Sequence, residues 1–226
     1  MKKIIAIVLA VSSIFFLTVS KTLAEWSAGI SVSHGVYQAD GTETSGAEAE
    51  KNGTTGKAGP FTYPSIFLEY NLGRVSLGFD VIPGSVTTEE SARTDYNTVD
   101  TGNDGVGTGV TNKVSVELSR HVSLYALVPI TDIGAFARVQ VMRVDIETKE
   151  SLGTGSKYPD THMTGASLSL GYQHDTGGAF VRAEVGYTDY EATSITSNTA
   201  TTGSTYNKVD ADVDGTWARI SIGKTF

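Results

Sequence analysis

Apolar residues fall at alternate positions in eight separate runs, and the gaps between runs are alternately long and short. Strict period-two alternation is the signature of strands with one apolar face. Trp26, Ala28, Ile30 and Val32 mark the first run; Pro64, Ile66, Leu68 and Tyr70 the second; Val75, Leu77, Phe79 and Val81 the third. The fourth reads Val114, Val116, Leu118, Val122, Leu124, Ala126 and Val128, broken only at Arg120. Ala137, Val139 and Val141 open the fifth, after which the apolar parity moves to Val144 and Ile146. One extra residue near Met142, a β-bulge, restores a single face. The sixth to eighth runs are Ala166–Tyr172, Ala179–Tyr187 and Ala218–Phe226, with a second parity shift, and so a second expected bulge, near Gly215.

The connections around Asn71–Arg74, Pro129–Gly134 and Asp175–Gly178 are short. Those spanning 38–60, 83–110, 147–162 and 192–209 are long and rich in Gly, Thr, Ser, Asn and Asp, the composition of solvated loops. Strict alternation of the two kinds puts all long connections at one end of an up-and-down barrel. Transmembrane barrels have that layout, with short periplasmic turns and longer outer loops.

Alternation has no built-in inside, and a soluble barrel alternates equally well. The face opposite the apolar one separates the two cases. It carries serines and glycines with Glu69, Asp80, Glu117, Arg138, Arg182, Glu184 and Arg219, a small and mixed-charge set that suits a narrow polar bore. With the short turns at the periplasmic side, Trp26, Tyr70, Tyr172 and Phe226 fall at one rim of the apolar face, and Tyr187 at the opposite rim. Aromatics at a constant depth form the girdle of a membrane interface.

Met1-Lys2-Lys3, an apolar stretch to Leu17 and Thr22-Leu23-Ala24 have the layout of a secretory signal peptide with its cleavage site. The expected organisation is therefore a cleaved segment 1–24 followed by one barrel domain, 25–226. Removing the three lysines of the leader leaves 14 of the 17 basic side chains against 25 acidic ones, a net charge of −11. That balance argues against nucleic acid, which wants clustered Lys and Arg. There is no cysteine, so neither disulfides nor thiolate zinc sites enter, and no cofactor motif is present.

The ending Ala218-Arg219-Ile220-Ser221-Ile222-Gly223-Lys224-Thr225-Phe226, an alternating strand with a terminal aromatic, resembles the C-terminal signature of bacterial outer-membrane barrels. The mature chain as a whole resembles small OmpA-like and OmpX-like barrels. Lys224 departs from the usual apolar residue near the end. The resemblance implies a Gram-negative outer-membrane location and recognition of Phe226 by the barrel assembly machinery. The expected surroundings are outer-membrane lipid and lipopolysaccharide, and the expected state is a monomer.

Three readings of the chemistry follow. The charged set fills the bore as a salt-bridge network, because buried charges are tolerated only when paired; the alternative is a narrow, slow pore for small solutes. His121-Val122-Ser123 matches the His-x-Ser fragment of outer-membrane lipid A deacylases, but Leu124 stands where that family has Asn, and both residues are expected to point inward, away from lipid. A non-enzymatic role is therefore expected. Asp210, Asp212 and Asp214 match the first half of a calcium loop, for calcium or cations bridging lipopolysaccharide, although Ser221 occupies the place of the bidentate glutamate. The sequence thus predicts an all-β, eight-stranded, antiparallel transmembrane barrel with a structural or surface-interaction role.

Overall fold

The computed structural model describes residues 25–45, 50–88, 90–96, 109–151, 157–201 and 205–226; the expected leader lies outside these. The strands are β1 (Glu25–Ser45), β2 (Glu50–Leu72), β3 (Val75–Val81), β4 (Val86–Thr87), β5 (Ser91–Tyr96), β6 (Gly109–Pro129), β7 (Ala135–Ser151), β8 (Thr161–Asp175), β9 (Ala179–Tyr190), β10 (Thr193–Thr201) and β11 (Thr205–Thr225). β1, β2, β3, β6, β7, β8, β9 and β11 pair in that order, all antiparallel, and β11 returns to β1. The result is a closed ring of eight wall strands. β4 and β5 prolong the β3 position along β6, and β10 prolongs the β9 position along β11.

The short turns carry glycines where the backbone turns left-handed: Gly73 (φ 73°), Gly134 (φ 104°), Gly177 (φ 69°) and Gly178 (φ 100°). Such angles suit glycine, which has no Cβ to clash. At this end Phe226 N–H donates to the Trp26 carbonyl at 2.7 Å, pinning the last residue to the first strand.

The other end differs from expectation. Much of the sequence between 38 and 60 is strand: β1 continues to Ser45 and β2 starts at Glu50. Segments 109–114, 147–151, 193–201 and 205–209 are strand as well. Their Gly- and Thr-rich composition is compatible with a two-sided solvated sheet, whose faces need no apolar alternation. At ~3.3 Å per residue, strands of this length overrun a ~30 Å hydrocarbon core. The wall therefore stands clear of the bilayer. β2 pairs with β3 only between Ile66 and Leu72; beyond Ile66 it keeps β1 but has no second partner strand among the described residues. Pro60 and Pro64 lie in that stretch, where a residue without an N–H is tolerated because the strand is an edge.

Outside, Ile30, Val32, Ile66, Leu68, Leu124, Leu168, Leu170, Val185, Ile220 and Ile222 are all exposed. A contiguous apolar belt of this extent needs a non-aqueous neighbour. On β1 the belt runs from Trp26 to Val36 and then gives way to Gln38 and Asp40. Ten residue steps at ~3.3 Å and a ~40° tilt give a height of roughly 25 Å, the height of the lipid-facing band of outer-membrane barrels.

The two expected bulges are not where the parity shifts were read. β7 and β8 stay in register from Ala135 through Ile146, with no interruption at Met142. β11 stays in register with β1 and β9 through Gly215. The register break is on β6, between Ser119 and Val122, where Arg120 adopts a left-handed φ of 46°. Two residues there oppose one on β7, which reverses the facing of the outer part of β6. Val116 and Leu118 consequently pack inward, against Val144, Ile146 and Met163, instead of toward lipid.

Candidate functional site

The bore is built from residues that alternate inward, and its chemistry changes along its length. In the lower part, nearer the short turns, Glu69, Asp80, Arg138, Arg182, Glu184 and Arg219 are all buried. Three guanidiniums meet three carboxylates. Arg182 donates Nη1 to Glu69 Oε1 at 2.7 Å and Nη2 to Glu69 Oε2 at 3.1 Å, a bidentate bridge from β9 to β2 across the bore. Arg138 donates to Glu184 at 3.2 Å and lies 3.6 Å from Asp80. Arg219 donates to Asp80 at 3.3 Å and to Ser33 Oγ at 2.9 Å.

Supporting bonds hold this set in place. Tyr125 donates to Glu69 at 2.7 Å, Ser65 to Asp80 at 3.1 Å and Ser169 to Glu184 at 3.2 Å. Gln173 Oε1 accepts from Arg182 at 2.7 Å. The guanidinium of Arg138 stacks 3.5 Å from the Tyr125 ring centre, and that of Arg182 lies over Phe180 at 4.8 Å. Phe67, Tyr125, Leu127, Phe136 and Phe180 close the spaces between the charges. Every charge in this layer has an opposite partner, which is the condition for burying it.

Glu117 is not part of the layer. The β6 bulge turns it to the outer wall, where it accepts from Lys149 at 3.1 Å. A hydrogen bond from Ser85 and then the Lys149 contact hold its carboxyl below the usual range.

Large inward rings fit because each faces a glycine on the neighbouring strand. Phe67 pairs with Gly29, Tyr125 with Gly78, Phe136 with Gly171, Phe180 with Gly223, Trp217 with Gly186, Tyr37 with Gly215 and Tyr190 with Gly165. A Cβ on Gly78 would sit 2.1 Å from the Tyr125 ring, and one on Gly223 2.2 Å from Phe180. The rings occupy the missing side chains' volume, the aromatic–glycine complementarity that curved sheets use.

Above the charged layer the bore passes through a band of hydroxyls and His121 to an apolar cluster. Tyr37 and Tyr63 share a hydroxyl bond of 2.9 Å, and Tyr190 meets His121 Nε2 at 3.3 Å. Beyond them Val144, Ile146 and Met163 are buried together, flanked by Val116, Leu118 and Val213. The even positions of β7 thus face inward throughout, from Arg138 and Gln140 to Met142, Val144 and Ile146. The residues change character while the geometry continues.

His121 and Ser123 lie inside the barrel, and neither His121 Nδ1 nor Ser123 Oγ has a hydrogen-bond partner. The base-to-hydroxyl bond of a nucleophilic serine is therefore not made here. Asp210, Asp212 and Asp214 share the outward face of β11, and Asp214 accepts from Tyr187 at 3.0 Å. Among the described residues no group of three His, Cys, Asp or Glu side chains is placed to hold a metal ion. At the lower rim Trp26 packs against Tyr70 in a tilted contact with ring centres 4.8 Å apart, and Phe226 carries Lys224 over its ring at 5.3 Å. Tyr172 is exposed on β8 near its short turn, and Tyr187 is exposed on β9 at the far edge of the belt.

No family model and no curated protein matches the chain. Solved structures do match. The outer membrane protein AlkL, determined in lipid bilayers, aligns over 92% of this chain and 93% of its own at 13% identity, with a TM-score of 0.52. The chain has the fold of a small outer-membrane β-barrel. OprG from Pseudomonas aeruginosa aligns over 88% of this chain and 97% of its own, at 15% identity and a TM-score of 0.44. At 13% identity, what the chain shares with AlkL is the barrel architecture.

Proposed function

We infer that this barrel is a closed, non-enzymatic protein of the outer membrane whose role lies in the wall it raises above the bilayer, in surface interaction or in supporting the membrane. The observation that carries the reading is the filled lower bore: three ion pairs and five apolar side chains occupy the section a solute must cross. The strands that overrun the lipid, with β2 beyond Ile66 lacking a second partner strand among the described residues, supply surface instead. Function on a rigid barrel sits on what projects from it. Reconstituted protein should give no conductance steps in planar bilayers. Lipid A from expressing cells should keep its acyl pattern by mass spectrometry. Steps of constant size sink the closed-barrel reading, and a lost acyl chain sinks the non-enzymatic one.

One observation favours a second reading, a narrow and slow path for small solutes. Asp80 Oδ1, Ser123 Oγ, His121 Nδ1, Arg138 Nε and Gln140 Oε1 are buried without hydrogen-bond partners, and all lie along β3, β6 and β7. Buried polar atoms of this kind are usually met by water. A file of water along that wall predicts osmotic swelling of proteoliposomes in small polar solutes, abolished by Ser123→Leu. Swelling that is absent from the outset removes this reading.

A further inference from the structure

The outer edge of the lipid-facing belt is not uniform. On β7 the outward positions run Ala137, Val139 and Val141, then Arg143 and Asp145. On β8 they run Tyr172, Leu170, Leu168 and Ala166, then Thr164 and His162. Arg143 pairs across the sheet with Val122 and Thr164, and Asp145 with Ser119 and His162. The change from hydrocarbon to headgroup chemistry therefore falls at one level on all three strands.

At that level the β6 bulge thrusts out Arg120. Its left-handed φ of 46° is an expensive conformation for a residue with a Cβ, and such strain gathers where a side chain must be aimed. Arg120 Nη2 meets Asp145 Oδ2 at 2.5 Å, and Arg143 Nε meets the other oxygen, Oδ1, at 3.4 Å. One carboxylate thus holds two guanidiniums side by side. Neither arginine has another ion-pair partner among the described residues, and their side chains are 77% and 55% exposed. The trio carries a net positive charge. It lines a groove of about 240 Å³ with Glu147, Asp160 and His162. The groove's other acids keep their charge: Glu147 is paired with Lys149 at 2.9 Å, and Asp160 accepts the Thr148 N–H at 3.2 Å. The same edge of the belt carries Asp40, Asp212 and Asp214 on β1 and β11, across the barrel, and Asp189 on β9, next to β8.

We propose that Arg120 and Arg143, aligned by Asp145, form a clamp for the phosphate of a phosphorylated glycolipid in the outer leaflet. Planar guanidiniums match phosphate oxygens in geometry, and a paired set of donors binds phosphate better than a lone cation. The height of the site, one step above Val141 and Ala166, is where a lipid headgroup meets the wall when its acyl chains lie along the belt. The strained backbone at Arg120 is then the cost of aiming that guanidinium at the headgroup row.

The test uses the full mature barrel refolded in phosphatidylcholine vesicles containing diphosphoryl lipid A, with binding read by the rise in thermal midpoint. Wild type should be stabilised by diphosphoryl lipid A, much less by its dephosphorylated form, and not by inorganic phosphate at equal concentration. Arg120→Gly keeps a residue suited to the left-handed backbone. It should raise the midpoint in lipid A-free vesicles, while weakening the response to lipid A at least tenfold in concentration. Arg143→Gln should weaken the response similarly, and Arg74→Gln, at the opposite end, should leave it unchanged. Equal responses to phosphorylated and dephosphorylated lipid, an undiminished response in Arg120→Gly or Arg143→Gln, or an equal response to free phosphate each overturns the proposal.

Discussion

The two halves of the bore solve the same packing problem with opposite chemistry. The lower half is filled by paired charges braced by aromatic rings, the upper half by Val144, Ile146 and Met163 with their apolar neighbours. Apolar packing is forgiving, because losing a methylene costs only contact and burial. Ionic packing is exacting, because a buried charge that loses its partner has nowhere to go. The lower half should therefore behave as a lock and the upper half as ordinary core.

The largest test of that contrast is Glu69→Ala. It strands Arg182, which Glu69 binds through both oxygens, and should cost about 3–5 kcal/mol in urea unfolding from bilayers. Replacing both partners, as Glu69→Ala with Arg182→Met, should recover much of that loss. If the double variant is as unstable as the single one, the lower bore is not held by pairing. Met163→Ala in the upper half should cost less, about 2–3 kcal/mol, near the low end for core truncation. A loss as large as that of Glu69→Ala would erase the difference between the halves.

The same contrast explains what was legible in the sequence. Strand number follows from alternation, because a strand has only two faces. Which face is inside, and so the inward placement of Arg138, Arg182 and Arg219, took the loop pattern, the aromatic rim and the mixed charges as well. Ring closure is seen only in the pairing of β11 with β1. The upper bore does not follow. On β7 the move from Ala137, Val139 and Val141 to Val144 and Ile146 reads equally as a bulge or as an interior that turns apolar, and pattern alone prefers the bulge. The structure has no bulge there, because apolar residues are wanted on both faces in turn. On β6 the reverse occurred. Arg120 was visible as the one break in a long run, yet the break was a real two-for-one register shift that moved Glu117 out and Leu118 in. The glycine–aromatic pairs were hidden for a different reason. Gly223 and Phe180 are far apart in sequence, and only cross-strand register brings them together.

Those pairs give the next test, smaller in effect. Gly223→Ala puts a Cβ 2.2 Å from the Phe180 ring in the lower half and should cost about 1–3 kcal/mol as overpacking. Phe180→Leu in the same chain should relieve the clash and restore part of the midpoint. An unaltered unfolding midpoint in Gly223→Ala means the ring can move aside, and the lower half is then less tightly filled than its contacts indicate.

The smallest expected effect separates the bore from its wall. Glu117 differs from Glu69 in only one structural respect that matters here: it faces water. Ser85 and Lys149 lower its carboxyl pKa, so its contribution is present above the ordinary carboxylate range and fades as pH falls through the lowered value. Exposed pairs of this kind contribute little, because water screens them and two long side chains lose freedom in meeting. Glu117→Gln should therefore leave the thermal midpoint at pH 7 unchanged, and its acid-unfolding curve should overlay that of wild type. A large drop at pH 7 that disappears below the carboxylate range means the carboxylate is held in a buried pair, and the reversal of β6 at Arg120 is then wrong. Overlaid curves, set beside a collapse in Glu69→Ala, assign the stabilising charges to the interior of the barrel.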